Sequence, residues 1–189
     1  MTLSNNHHPN ILRRDNVCLL IIDVQERFRT HIEDFEQMTK NIVVLAKVAN
    51  KLKLPIILSE QYPQGLGSTI KEILDVVDKH ELFAKSAFSC CQVESFVKHL
   101  QELKRTQILA TGIESQVCVN QTVHDLIAAG YQTHVVVDAI SSRSKNNKEI
   151  GIKKMLAAGA VISCTEMATC ELLGTAKDPT FKYLQSLIK

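Results

Sequence analysis

Residues 17–23 read Val17-Cys18-Leu19-Leu20-Ile21-Ile22-Asp23, six apolar residues followed at once by a carboxylate. An apolar run without polar alternation, rich in β-branched residues, is typical of a strand buried on both faces of a parallel sheet. The stretch therefore predicts a central strand whose carboxyl end presents Asp23.

Similar apolar runs recur along the chain, and segments of helical periodicity lie between them. The further predicted strands are 55–58, 82–84, 106–111, 133–137 and 160–164, and the predicted helices are 35–52, 96–103, 119–127, 150–158 and 179–188, the last with Asp178 as N-cap. This alternation implies right-handed crossovers and a doubly wound α/β fold, in which helices cover both faces of a parallel sheet.

The composition is that of a globular protein and excludes several classes of function. The chain has 189 residues, enough for one domain, and a formal net charge of +2, which gives no electrostatic footprint for nucleic acid. No apolar stretch approaches the roughly 20 residues that span a bilayer. Residues 1–14 are polar and carry no signal-peptide pattern, so we expect an N-terminal tail over 1–14, a single domain over 15–189 and a cytoplasmic protein.

The chain contains six cysteines, at positions 18, 90, 91, 118, 164 and 170. Without a secretory signal, this count does not indicate a disulfide framework, and the absence of a CxxC spacing argues against zinc. The adjacent pair Cys90-Cys91 favours packing over redox chemistry, because vicinal disulfides are strained. We expect five of the six to be buried and inert, which leaves Cys118 as the candidate nucleophile.

Three polar side chains follow predicted strands at their carboxyl ends, where ligands bind in folds of this kind. They are Asp23, Lys85 and Cys118. Each also has an ordinary structural interpretation: a carboxylate that caps the next turn, a surface lysine, and a buried inert thiol. Together the three residues favour a functional site, because they lie at strand ends of one sheet and can converge.

Cys118 is expected in the first turn of a helix, with Ser115 as the N-cap. A helix N-terminus favours a thiolate over a thiol and offers unpaired N–H groups to an oxyanion. A nucleophilic thiol also needs a base that takes its proton, and a neighbouring lysine can stabilise the charges. The constellation therefore predicts covalent catalysis by Cys118, with Asp23 as base.

These residues resemble the isochorismatase-like cysteine hydrolase family, which includes nicotinamidases and N-carbamoylsarcosine amidases. Within it, the chain is most similar to the isochorismatase-domain-containing proteins of unassigned substrate. The matching segments are Leu19-Leu20-Ile21-Ile22-Asp23-Val24-Gln25, Lys85-Ser86-Ala87-Phe88 and Gly112-Ile113-Glu114-Ser115-Gln116-Val117-Cys118. The similarity runs from about residue 15 to the C-terminus.

The resemblance implies a three-layer fold around a six-stranded parallel sheet and a catalytic triad of Asp23, Lys85 and Cys118. It also implies a cis peptide between Ile113 and Glu114, an oxyanion hole made by the backbone N–H groups of Glu114 and Cys118, and a homo-oligomer. The metal-binding histidines of nicotinamidases have no counterpart after the second predicted strand. We therefore expect no metal and no cofactor.

Gln25, Phe28 and Tyr62 are candidates for substrate binding, because they follow strand ends on loops; plain packing is the alternative for each. The expected function is hydrolysis of an amide-like C–N bond in a small molecule through a thioester, with no nucleic-acid or membrane partner. Two alternatives remain: an isochorismatase-type vinyl-ether hydrolase that needs no thiol, and a non-catalytic binding protein that retains the fold.

Overall fold

The six strands of the protein form one entirely parallel sheet in a computed structural model that describes residues 8–189. The strands are β1 (Val17–Ile22), β2 (Ile56–Gln61), β3 (Glu81–Lys85), β4 (Gln107–Ile113), β5 (Gln132–Ser141) and β6 (Val161–Ser163). Their order across the sheet is β3-β2-β1-β4-β5-β6. The predicted α/β fold is confirmed.

The order in which strands are added to the sheet reverses between the neighbouring strands β1 and β4. Strands β2 and β3 are added on one side of β1, and β4, β5 and β6 on the other. The crevice beyond the carboxyl ends of β1 and β4 is therefore the topological switch point, where α/β sheets bind ligands. Asp23 follows β1 and Glu114 follows β4, so both flank this crevice.

Helices cover both faces of the sheet, as the alternation predicts. One face carries α1 (Phe35–Leu52), α3 (Lys71–Leu74), α7 (Thr165–Leu173) and α8 (Phe181–Leu187); the other carries α4 (Glu94–Leu103), α5 (Cys118–Ala128) and α6 (Lys145–Ala157). A short helix, α2 (Pro63–Leu66), follows β2, and 3-10 turns span Glu26–Phe28 and Cys90–Gln92. Strand β1 is buried from end to end, because apolar side chains from both layers cover it.

Several predicted boundaries were wrong, each because of a hydrogen bond that local periodicity does not reveal. The last helix begins at Phe181, because the Asp178 carboxylate accepts a hydrogen bond from the Thr180 N–H and holds that turn outside the helix. Helix α6 begins at Lys145, five residues before the predicted start, and Ser144 accepts from the Asn147 N–H as its N-cap. Helix α7 was not predicted at all.

The last residues of the predicted tail pack against the C-terminal part of the domain. Leu12 is buried in the core cluster that α1 and α7 share, and Arg14 pairs with Asp178 at 2.7 Å. Residues 1–7 of the predicted tail lie outside the described residues, and the domain boundary stays a prediction. Over residues 8–189, none of the helices combines the length and the apolar character that crossing a bilayer requires.

Gly112 is required by a close approach of β4 to β1. It lies in register with Ile22 and has a φ of +112°, a conformation that favours glycine. A Cβ atom at this position would lie 2.6 Å from the Ile22 nitrogen and nearer still to the Ile22 carbonyl oxygen.

We expect Gly112→Ala to lower the free energy of unfolding by about 3 kcal/mol or more, because the methyl group meets rigid backbone. Gly130→Ala is the matched control: φ there is +88°, with no atom within 4 Å of a new Cβ, so backbone strain alone costs about 1–2 kcal/mol. Urea unfolding of both variants measures the difference. Equal losses would contradict the close approach.

Candidate active site

Asp23 lies in the turn that directly follows β1. Its backbone is left-handed, with a φ of 56°, a conformation that Asp tolerates better than most residues. The residue is 1 % exposed, and its carboxylate accepts hydrogen bonds from Ser59 Oγ at 2.7 Å and from Lys85 Nζ at 2.6 Å. Asp23 is therefore a buried carboxylate that residues near the carboxyl ends of β2 and β3 hold in place. It does not cap a helix.

Lys85 is the last residue of β3 and turns its side chain into the site. The ammonium group donates to Asp23, to Gln61 Oε1 at 2.8 Å and to the Ala87 carbonyl at 3.3 Å, and the side chain is 0 % exposed. Burial alone would lower its pKa, but the Asp23 carboxylate and the nearby thiols outweigh burial and raise the pKa. Lys85 is thus a buried cation at neutral pH, unlike an ordinary surface lysine.

Cys118 is the first residue of α5 and lies beside the same ion pair. The residue is 6 % exposed. Burial, followed by the Asp23 carboxylate, raises the pKa of the Cys118 thiol well above its usual range, and Lys85 only partly opposes this. Burial and the carboxylate thus oppose the effect of the helix N-terminus, which by itself favours a thiolate.

The turn between β4 and α5 places backbone N–H groups next to Cys118. The Ile113–Glu114 peptide is cis, as predicted. The Glu114 carbonyl accepts hydrogen bonds from the Val117 and Val119 N–H groups at 3.0 and 3.2 Å. Within residues 8–189, the Glu114 and Cys118 N–H groups donate to no protein acceptor, which leaves both for a ligand.

We expected Ser115 to be the N-cap of α5, and this was wrong. Its N–H and hydroxyl both donate to the Ser141 carbonyl, at 2.9 and 2.7 Å. These bonds tie the turn to the end of β5. Gly151 of α6 packs against the same turn, where a Cβ would lie 2.7 Å from the Ser115 carbonyl oxygen. The turn is therefore positioned from two directions.

A second thiol, that of Cys90, lies near the ion pair. Burial and the Asp23 carboxylate raise its pKa to about 11, and the Lys85 charge and hydrogen bonds with Ser59 and Thr122 oppose the rise. Beyond the Cys90-Cys91 pair, no sequence pattern pointed to this position. Of the other cysteines, Cys170 is exposed and Cys91 and Cys164 are half-buried, which corrects the expectation that all five are buried.

Ser59 and Gln61, which hold Asp23 and Lys85, were missed by the sequence analysis. Both fall in the last part of β2, beyond its predicted end at residue 58. Gln61 lies in register with Lys85 on the neighbouring strand. A correct prediction of the end of β2, at Gln61, would have revealed both residues.

The three candidates for substrate binding differ in their surroundings. The Gln25 side chain is fully buried, and its amide bonds to Gln61 and to the Gly67 carbonyl, so Gln25 fixes the loops and has no atom left for a substrate. Phe28 lines a cavity beside the site. Tyr62 is 58 % exposed, stands over Gly65 and does not line that cavity.

A cavity of about 330 Å³ adjoins the turn that holds Glu114, and Asp23, Lys85 and Cys118 do not line it. Its lining residues are Arg27, Phe28, His31, Leu66, Glu114 and Arg143. A neighbouring concavity of about 510 Å³ shares Arg27, His31 and Leu66 with it, so the two form one cleft. Another concavity, of about 700 Å³, is lined by residues 11–15 and part of α7, at the amino end of the strands and away from the site.

No cluster of three or more His, Cys, Asp or Glu side chains in the described part of the chain has the arrangement of a metal site. The polar centre of the candidate site consists of one carboxylate, one ammonium group and thiols. This set is suited to proton transfer and nucleophilic attack.

Comparison with known proteins gives a consistent assignment. A family model described as "Isochorismatase domain" matches residues 17–167. The human "Isochorismatase domain-containing protein 2" is 39 % identical over 172 residues, covering 90 % of this chain and 82 % of that protein. The structure of a Caenorhabditis elegans protein described as MAR1 ribonuclease is 35 % identical, with a TM-score of 0.90 over 94 % of this chain and 92 % of that one. Escherichia coli YcaC, described as an octameric hydrolase of unknown specificity, shares the fold, with a TM-score of 0.90 at 21 % identity over 97 % of this chain and 91 % of that one.

We expect Lys85→Met to lower the free energy of unfolding by about 3 kcal/mol, because it leaves the Asp23 carboxylate buried without a counter-charge. Adding Asp23→Asn to that variant removes the stranded charge and should recover part of the loss. Urea unfolding measures each step.

The control is Arg13→Met, which breaks an exposed pair with Asp15, where the side chains are 46 % and 69 % exposed. It should cost less than about 1 kcal/mol. Additive losses at Asp23 and Lys85 would show that the two charges do not stabilise each other.

Proposed function

The chain belongs to the isochorismatase family, and we propose that it is a cysteine hydrolase that cleaves an amide-like C–N bond in a small molecule. The observation that carries the proposal is the convergence of Asp23, Lys85 and Cys118 in one buried, hydrogen-bonded cluster beside a cleft. Lys85 ends β3, Asp23 directly follows β1 and Cys118 begins α5, so the three lie at the edge of the sheet where such folds bind ligands.

The first step begins with a neutral thiol, because the pKa of Cys118 is raised. Asp23 accepts the thiol proton as the sulfur attacks the carbonyl carbon of the amide, and a C–S bond forms. The carbonyl π electrons move to oxygen, and the N–H groups of Glu114 and Cys118 stabilise the resulting oxyanion. The Lys85 ammonium keeps the cluster from gaining a net negative charge.

The second step breaks the C–N bond, and the amine leaves with the proton that Asp23 has stored. The product is a thioester on Cys118 and a free amine or ammonia. Asp23, again a carboxylate, then takes a proton from a water molecule that attacks the thioester. Collapse of this second intermediate releases the carboxylic acid and returns the proton to the Cys118 sulfur.

Substrate size follows from the cleft beside the cluster. A volume of about 330 Å³ next to the site suits a small molecule. A homo-oligomer, implied by the family resemblance, stays a prediction; the octameric E. coli protein supports it at the level of the fold. The description of the C. elegans protein as a ribonuclease applies to that protein, and RNA therefore belongs in the substrate panel as a competitor.

We expect Cys118→Ala to abolish hydrolysis, with a loss of at least about 1,000-fold in turnover, because it removes the thiol that lies beside the two proposed oxyanion donors. Ammonia release from a panel of small amides, carbamoyl compounds and ureido compounds measures it, and circular dichroism confirms the fold. The matched control is Cys170→Ala, which removes an exposed thiol and should leave turnover unchanged.

Three other results would contradict the proposal. Turnover retained in Cys118→Ala would favour chemistry that needs no thiol, such as vinyl-ether hydrolysis. Cleavage of RNA without ammonia release would assign a different reaction. If no panel member releases ammonia and none forms a covalent adduct with Cys118, the protein is a binding protein that retains the fold.

The Asp23→Asn variant tests whether Asp23 acts as the base or has only a structural role. Asparagine cannot take the thiol proton, so turnover should fall by about 100- to 10,000-fold. The same change removes the negative charge that raises the Cys118 pKa, and the positive charge of Lys85 remains. The pH midpoint of Cys118 alkylation by iodoacetamide should therefore move to lower pH. Ser59→Ala, which keeps the carboxylate, is the control. Unchanged turnover in Asp23→Asn would remove Asp23 as the base.

A further inference from the structure

We propose that Arg143 is a positioning residue for the oxyanion hole, because it holds and neutralises the Glu114 carboxylate, whose charge would otherwise oppose an oxyanion at the Glu114 N–H. The inference deepens the proposed hydrolase function and rests on it. It comes from the contacts between the turn that joins β4 to α5 and residues 141–143, where β5 ends.

Glu114 carries two groups of opposite effect on an oxyanion. Its N–H donates to no protein acceptor within residues 8–189 and is one of the two proposed oxyanion donors. Its carboxylate is attached to the same Cα through a short methylene chain, and the side chain is only 12 % exposed, so water screens the negative charge poorly. An unpaired carboxylate at this position would repel the charge that develops on the substrate oxygen.

Arg143 supplies the compensating charge. Its Nε pairs with Glu114 Oε1, and within the described residues 8–189 the Glu114 carboxylate pairs with no other cation. The Lys85 ammonium, the cation of the buried cluster, pairs with Asp23 instead. The charge that Glu114 brings to the oxyanion hole is therefore balanced by Arg143 alone.

The position of the turn does not depend on this ion pair. The Ser141 carbonyl accepts both the N–H and the hydroxyl of Ser115, at 2.9 and 2.7 Å. The hydroxyl of Ser142, a fully buried residue, donates to Gln116 Oε1 at 2.6 Å. Two buried serines thus hold the turn, whereas the side chain of Arg143 is 59 % exposed and is not part of the packed core.

The segment that carries Arg143 is itself fixed by the loop before α1. Ser141 Oγ donates to the Glu33 carbonyl at 2.5 Å, and the Ser142 carbonyl accepts the Glu33 N–H at 2.9 Å. These bonds use the backbone and the two serines, and none of them involves the guanidinium. The main effect of replacing Arg143 is therefore the loss of a charge beside the oxyanion hole.

An aldehyde probes the oxyanion hole without cleavage of a C–N bond. The Cys118 sulfur adds to the carbonyl carbon of propionaldehyde, a C–S bond forms, and the thiol proton passes to Asp23. The carbonyl π electrons move to oxygen, as in the first step of the proposed reaction, and nothing is released. Titration with propionaldehyde labelled with carbon-13 at the carbonyl, followed by NMR, gives the dissociation constant of the adduct. The Cys118→Ala protein should show no adduct signal and gives the background.

We expect Arg143→Met to weaken the adduct about tenfold, because it leaves the Glu114 charge beside the oxyanion. Arg143→Lys should weaken it less, since a positive charge remains. Adding Glu114→Gln to Arg143→Met removes the stranded charge and keeps the N–H, so most of the lost affinity should return. A purely structural tie predicts no such recovery, because the double variant has no ion pair at all. The matched control is Arg13→Met, which breaks an exposed pair at the amino end of the sheet and should leave the affinity unchanged.

Turnover gives a second measurement on any amide of the panel that reacts. Arg143→Met should lower kcat and leave KM unchanged, since the oxyanion forms only after the substrate is bound. Wild-type adduct affinity in Arg143→Met, or a double variant that binds no better than the single one, overturns the inference even if amides are hydrolysed. A wild-type protein that forms no adduct also overturns it. Failure of the hydrolase proposal appears separately, as absent ammonia release while the adduct still depends on Arg143 and Glu114.

Discussion

The buried ion pair between Asp23 and Lys85 is the interaction on which the site depends. Its two atoms are 2.6 Å apart and out of contact with solvent, so each charge is tolerable only because the other is present. The pair holds the end of β3 against the turn after β1, and it sets the charge that Cys118 experiences. The pKa values of Lys85 and Cys118 therefore both depend on the Asp23 charge beside them.

The sequence was sufficient to locate the centre of the site. Asp23 ends an apolar run, Lys85 ends a short one, and Cys118 follows a third, so knowledge of strand ends alone brought the three together. This worked because a parallel sheet presents every carboxyl end at the same edge, whatever the distance along the chain. The fold followed from the same alternation of apolar runs and amphipathic segments, and family resemblance supplied the cis peptide at Glu114.

What the sequence could not provide are interactions that only the folded chain creates. The raised pKa of Cys118 depends on burial and on a carboxylate from another strand. Helix α7 escaped prediction because its buried face is rich in small and hydroxyl-bearing residues such as Thr165 and Ala168, which weakens the apolar period. Its first N–H groups are also satisfied from a distance, since the Asp138 carboxylate of β5 accepts from Thr165. No local motif records such a cap.

One consequence of the strand order concerns local opening. Strand β3 is at the edge of the sheet, has β2 as its single neighbouring strand, and is largely exposed except at Lys85. Edge elements with few buried contacts unfold locally at a lower free energy than the core. Local unfolding of this edge withdraws the ammonium group, while Asp23 after β1 and Cys118 at the start of α5 stay in place. Local unfolding of β3 therefore limits the lifetime of the assembled site, and the ion pair between Asp23 and Lys85 opposes this unfolding.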